Sequence, residues 1–572
     1  MDVDRREFLR LGAVTAAATA AAGVVPPYFR PLSSPSDVRG QGFPAMDLEE
    51  ATIVDLQAAM AAGRLSARRL VRAYGRRIDA IDRHGPRLNS ILEVNHDAEA
   101  IARGLDAERR EGHVRGPLHG IPILLKDNID TGDRMMTGAG SLALVGAPAT
   151  RDATVVANLR AAGAIILGKT NMSEWANFRS FHSSSGWSGR GGQCLMPYFL
   201  DRNPCGSSSG SGAAPSANLT AASVGTETDG SIVCPANANG VVGIKPTVGL
   251  TSRAGVVPIS HSQDTIGPHA RTVADAAAVL GGMASTVADP RDPATRDNRN
   301  KVYSDYTRFL DPHGLKGARI GVARSGVTGY SEEVDGVFDA AVEAIAAAGA
   351  TVVDPADIPT IDQINAGAEE ITVLVYEFKR DLNAYLATRT GVPITSLADA
   401  IAFNNDHADE ELKWFGQEWF ELTEAEIFTK DEYDAALPEE RRIGGPDGID
   451  AVLQEHTLDA LVAPTGAPAW TADLVNGDHF LGASSSPAAV AGYPLINAPM
   501  GNSFGLPMGI TFMGTAFSEP TLIKLASGFE AATHARLKPQ FHTALPLDGQ
   551  SHRRRREHDN KDSVDRPSVR HL

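Results

Sequence analysis

Three stretches of the sequence carry residue types at spacings that could do chemistry. Gly163-Ala164-Ile165-Ile166-Leu167-Gly168-Lys169-Thr170 satisfies the phosphate-binding P-loop pattern letter for letter. A P-loop needs a strand before its first glycine and a run of free backbone N–H groups between the glycines. Here a helical pattern precedes Gly163 and the interior is itself strand-like, which argues against nucleotide binding. Gly206-Ser207-Ser208-Ser209-Gly210 fits the nucleophile elbow Gly-x-Ser-x-Gly, with Ser208 central. An elbow follows an apolar strand, whereas residues 198–205 read as a loop, so this motif is also set aside, although His534 or His542 could nominally follow it. The third stretch is longer: residues 203–213, then Gly225-Thr226-Glu227-Thr228-Asp229-Gly230-Ser231-Ile232, then Gly243-Ile244-Lys245-Pro246-Thr247. A Ser/Gly run alone is a flexible linker. This one lies between Pro204 and the largely apolar residues 219–224, and a second Gly-Ser turn follows it. Glycines let backbone N–H groups approach a ligand, and Thr228, Asp229, Gly230 and Ser231 can offer consecutive amides to an oxyanion. Such a loop needs a nucleophile and a base.

The elements that must position these residues alternate in α/β order. Residues 51–81 are helical in pattern, interrupted at Gly63, with Ile53, Leu56 and Met60 before it and Leu70, Tyr74, Ile78 and Ile81 after it. Residues 121–125 and 164–167 read as buried strands flanking a helix at 154–162. Strands are again expected at 319–323 and 458–464, with a helix at 334–348 between them. No internal repeat or long linker interrupts this alternation, so one large α/β domain over residues 46–545 accounts for it better than several small ones.

The 572 residues are 42% hydrophobic and 22% charged, a globular composition that excludes a disordered chain or a coiled coil. A net charge of −17 argues against nucleic acid and anionic membranes as partners. Three cysteines (Cys194, Cys205, Cys234) are too few to staple a chain of this length. Residues 1–25 combine Arg5-Arg6, Phe8-Leu9 and an Ala-rich run too short to span a bilayer, and they read as a twin-arginine export signal to the periplasm or the medium. Residues 547–572 are polar, with Arg553-Arg554-Arg555-Arg556 soon followed by Asp559, Asp562 and Asp565, and read as a solvated tail. No His-Glu-x-x-His or Cys-x-x-Cys pair suggests a metal.

The third stretch, taken with Pro117-Leu118-His119-Gly120-Ile121-Pro122 and Leu125-Lys126-Asp127-Asn128, resembles the amidase signature family. The resemblance continues through Gly243-Ile244-Lys245-Pro246-Thr247-Val248-Gly249, Ala488-Ala489-Val490-Ala491-Gly492-Tyr493-Pro494 and Gly505-Leu506-Pro507-Met508-Gly509-Ile510, covering most of the chain, from about residue 46 to 540. The wording around Asn203-Pro204-Cys205-Gly206 and Asp229-Gly230-Ser231-Ile232-Val233-Cys234-Pro235 is most similar to the bacterial peptide amidases, which release ammonia from C-terminal peptide amides. Many family members carry Arg after the Ser-Ile pair and Gly-Gly-Ser in place of Asp229-Gly230-Ser231; both departures fit the peptide-amidase branch.

The resemblance implies a large mixed sheet covered by helices on both faces, and a Ser-Ser-Lys triad. Ser231 matches the nucleophile, Ser207 the serine after a cis peptide bond, and Lys126 the base, while the backbone amides of Thr228, Asp229, Gly230 and Ser231 match the oxyanion hole. A serine hydroxyl needs a neighbouring group to take its proton. A lysine does so only when neutral, so its reference pKa of about 10.4 must fall through burial, which the apolar 121–125 run can supply. Ser208, Ser209 and Ser211 are expected to support the loop through hydrogen bonds. Cys205 and Cys234 flank the two serines and are open to either a disulfide or packed free thiols. No cofactor is needed, and the expected partner is a small-molecule or peptide amide, with no obligate protein partner and no stable membrane association. The alternatives are a broad aryl or aliphatic acylamidase and a non-catalytic subunit. The acyl-side pocket is expected from residues 181–195 and 370–428.

Overall fold

The computed structural model describes residues 47–296, 298 and 301–545; the expected export signal and tail lie outside the described residues. Eleven strands are present among the described residues: β1 (Ile91–Val94), β2 (Pro122–Lys126), β3 (Ile165–Thr170), β4 (Ala222–Glu227), β5 (Val242–Lys245), β6 (Thr265–Ala270), β7 (Arg319–Val322), β8 (Thr351–Val353), β9 (Ala460–Pro464), β10 (Leu495–Ser503) and β11 (Leu506–Met513). They form one sheet in the order β1-β3-β2-β4-β6-β5-β10-β11-β9-β7-β8. β3, β2 and β4 run parallel, as do β9, β7 and β8, and the strands between these two groups pair antiparallel. The sheet is therefore mixed. β2, β3, β4, β6, β9 and β11 are buried at every position. Strands covered on both faces lose the alternation of a half-exposed sheet, which is why they read as near-continuous apolar runs.

The helical pattern of residues 51–81 resolves into Ile53–Ala61 and Ala67–Arg77 on either side of Gly63, whose φ of +68° suits glycine. Thr52 and Ser66 cap the two helices through their hydroxyls. The helices expected at 154–162 and 334–348 are Thr154–Ala161 and Glu332–Ala347. The P-loop-like segment is β3, and its Lys169 is buried, donating to Thr137 Oγ1 (3.1 Å) and the Ile129 carbonyl. It holds the core together rather than a phosphate. No helix among the described residues is long and apolar enough to cross a membrane.

What positions the site is the parallel pairing of β2 with β4, in register from Ile123 against Ala222 to Leu125 against Val224. It brings the last residue of β2, Lys126, beside the end of β4. The chain then turns through residues 228–231 into the helix Val233–Ala238.

Candidate active site

Lys126 is completely buried. Its Nζ donates to Ser207 Oγ (2.7 Å), Thr226 Oγ1 (2.9 Å) and the Thr226 carbonyl (3.3 Å). Asn128 Nδ2 donates to the same Thr226 hydroxyl (3.0 Å), which fixes the rotamer of the threonine. Burial pushes the Lys126 ammonium down to about 7, while the nearby Asp264 and Glu227 carboxylates pull the other way. The apolar strand does supply the desolvation that the sequence suggested, but Thr226, which the 225–232 stretch contains without a role read for it, and Asp264, which no motif marks, also shape this lysine.

Ser207 is 1% exposed and follows a cis Gly206–Ser207 peptide. The Ser173 amide donates to its carbonyl (3.0 Å). A side chain at Gly206 would meet Ser173 Oγ at 2.1 Å, so only glycine lets these segments approach. The other serines of the run are spent on structure. Ser208 Oγ donates to the Thr226 carbonyl (3.0 Å) and accepts from the Thr226 amide (3.2 Å). Ser209 Oγ donates to the Cys205 carbonyl (2.6 Å) and Ser211 Oγ to the Val224 carbonyl (3.0 Å). Ser208, the centre of the elbow-like motif, thus staples the helix Ser209–Ser216 to β4. Cys205 and Cys234 form a disulfide, and Cys194 is a buried free thiol.

Ser231 lies in the turn before the helix Val233–Ala238 and is partly exposed. The Ser208 amide donates to its carbonyl (3.2 Å), which draws its backbone beside the Ser207 loop. Gly230 takes a φ of +78°. Among the described residues, the Gly230 and Ser231 amides have no internal hydrogen-bond acceptor. The turn is anchored on both flanks. Thr228 Oγ1 donates to Asp264 Oδ1 (2.6 Å), and Asp229 accepts from Ser486 Oγ (2.7 Å) and from Ser485 Oγ. Glu227 Oε2 accepts from the Ile232 and Val233 amides (2.6 and 2.9 Å), capping the helix that follows the turn. Desolvation pushes the Asp264 carboxyl up to about 6, against the Thr228 hydroxyl and the Ile259 and Ser260 amides, which favour its charged form.

The structure therefore brings Lys126 and Ser207 into direct contact and sets the Ser231 turn against the same loop. Ser485 and Ser486 come from a distant segment, and only their position beside the Ala488–Pro494 motif hints at a role. The two stretches expected to shape the pocket touch where the half-exposed Phe181 meets Trp419 edge-on (4.6 Å); Phe178, just before the first stretch, stacks on the same ring (5.1 Å). Phe178 and Phe181 follow closely on Ser173, the residue whose amide holds Ser207.

The mixed eleven-stranded sheet is that of the amidase-signature enzymes: the Amidase family model matches residues 69–523, and the chain belongs to this family. The native peptide amidase of Stenotrophomonas maltophilia is 51% identical, with a TM-score of 0.82 over 86% of this chain and 99% of its own. A probable amidase of Arabidopsis thaliana is 44% identical over 502 residues, 86% of this chain and 92% of the relative. A putative amidase of Schizosaccharomyces pombe is 38% identical over 528 residues, 86% of this chain and 87% of the relative. The protein is an amide-hydrolysing enzyme.

Proposed function

We propose that this chain hydrolyses C-terminal peptide amides to the free peptide and ammonia through a Ser231 acyl-enzyme. The observation that carries the reading is the hydrogen bond between fully buried Lys126 and Ser207 Oγ at 2.7 Å, in a chain 51% identical to a peptide amidase. Near neutral pH a lysine shifted to about 7 is divided between its two forms, the poise a general base needs. Neutral Lys126 takes the Ser207 proton as Ser207 takes that of Ser231, and Ser231 Oγ attacks the amide carbon. The oxyanion forms against the amides of Thr228, Asp229, Gly230 and Ser231, where one well-placed donor is worth ~3 kcal/mol. The same relay returns a proton to the nitrogen, ammonia leaves, and water hydrolyses the ester by the reverse path.

Export through residues 1–25 fits an oxidised Cys205–Cys234 pair, since disulfides persist outside the reducing cytosol. The test is ammonia release from an amidated short peptide by the wild type and by Ser231→Ala. We expect rapid release with internal peptide bonds intact, and a loss of roughly 10⁴-fold or more in the variant. Release that survives the substitution removes Ser231 from the nucleophile role, and release only from aryl or aliphatic amides replaces the peptide reading with a general acylamidase.

A further inference from the structure

The helix Lys430–Gly444 packs antiparallel on the helix Ala368–Leu386. Tyr433 donates its hydroxyl to Glu377 Oε1 (2.7 Å), and Gln363, just before the second helix, donates to Glu439 Oε1 (3.0 Å). Seven residues on from Tyr433, on the same helix face, Glu440 meets the region of Glu370, which stands seven residues before Glu377. Glu440 is 1% exposed, and neither of its carboxylate oxygens meets a donor among the described residues. Gln263, also 1% exposed, reaches the same place from the loop before β6: its Nε2 donates to Glu370 Oε1 (3.1 Å), while its Oε1 meets no donor. Three buried acceptor oxygens, two from Glu440 and one from Gln263, therefore flank Glu370 with no protein donor of their own. Burial, and repulsion from Glu370 and Glu377, push the Glu440 carboxyl well above the usual range.

The neighbouring His261 does not relieve this. Its Nδ1 is paired with Asp381 (2.9 Å) and its Nε2 lies 3.3 Å from Glu377, which already accepts from Ser260, Ser262 and Tyr433. An amide oxygen and carboxylates from three separate segments suit a hard cation with a flexible shell of oxygen ligands; magnesium gives up its waters reluctantly and demands a stricter octahedron.

We propose that Glu370, Glu440 and Gln263 bind a divalent, oxygen-preferring cation of calcium's size between the helices Ala368–Leu386 and Lys430–Gly444. The ion would tie these helices to the Gln263 loop. The next residue, Asp264, accepts from Thr228 Oγ1 at 2.6 Å, so the bound ion would also brace the turn that carries Ser231. Sequence motifs do not reveal such a site, because its ligands are 107 and 70 residues apart along the chain.

The test uses the chelator-stripped full chain titrated with calcium, followed by thermal midpoint and by terbium luminescence sensitised through Tyr433. We expect the midpoint to rise by a few degrees at saturating calcium and a terbium signal that calcium displaces. Both should be lost in Glu440→Gln and, should that variant fail to fold, in Gln263→Met. A wild type with neither response, or responses that persist in a folded variant, would overturn the site and leave a protonated Glu440 as the occupant of this space. Neither readout uses turnover, so the outcome does not depend on the proposed substrate or triad.

Discussion

In the proposed mechanism the chemistry turns on one ionisation, that of Lys126. Its ammonium is disfavoured by burial and sits near 7, so the neutral form needed for proton abstraction is lost as the pH falls. We expect kcat/KM to drop tenfold per pH unit below about 7 and to level off above it. A pH–rate profile that stays flat down to pH 5 would rule out a neutral-lysine base. Gly230 offers a second test at this scale. Its φ of +78° disfavours an L-residue by about 1–2 kcal/mol. An added Cβ would also lie 3.1 Å from Ser485 Oγ, a hydroxyl already committed to Asp229. Gly230→Ala should lower the thermal midpoint and, if the 228–231 amides form the proposed oxyanion hole, reduce kcat more than tenfold with a smaller change in KM, because it would move donors to a charge that develops only in the transition state. Unchanged kcat would place the oxyanion elsewhere.

At the scale of elements, the site is the meeting of two parallel strand ends with two loops that open short helices. Cys205 lies two residues before Ser207, Cys234 three residues after Ser231, and the disulfide between them ties the two loops covalently. A cross-link with a sequence separation of 29 restricts the unfolded chain by about 3.6 kcal/mol. The double variant Cys205→Ala/Cys234→Ala should therefore melt several degrees lower, and its kcat should fall as the loops gain freedom. Wild-type protein treated with a reductant should move in the same direction. If melting falls while kcat holds, the disulfide stabilises the fold but does not position the serines.

For the whole molecule, burial of charge decides the response to pH. Lys126, Lys169 and Lys245 are all fully buried and are pushed to about 7, 8 and 8. In the unfolded chain each holds its proton to about pH 10.4. Between about pH 7 and 10 the unfolded state therefore binds more protons than the folded one, and stability rises with pH. The thermal midpoint at pH 9 should exceed that at pH 7 at matched ionic strength. A midpoint that falls over this interval would mean that these lysines keep their charge in the folded state. The net charge of −17 adds repulsion that opposes the rise, so high salt should enlarge it.

Read alone, the sequence gives the α/β class, four of the eleven strands among the described residues and the helices near 51–81, 154–162 and 334–348 to within a few residues, and the order of the Lys126, Ser207 and Ser231 motifs. These are local matters: apolar runs covered on both faces, glycines where backbones approach, and hydroxyls that cap helices. The flanking patterns also argued against the P-loop and the elbow, and in the fold β3 occupies the first while Ser208 is bonded to Thr226 in the second. Tertiary structure alone decided the rest. Whether Cys205 and Cys234 join depends on two loops meeting, and the depth of Lys126 depends on β4 closing over it. The anchoring of the 228–231 turn depends on Asp264, Ser485 and Ser486, whose hydrogen bonds to it span 36, 256 and 257 residues. Contacts of that separation leave no periodicity in the chain, because the packing of the sheet, and not the local sequence, brings them together.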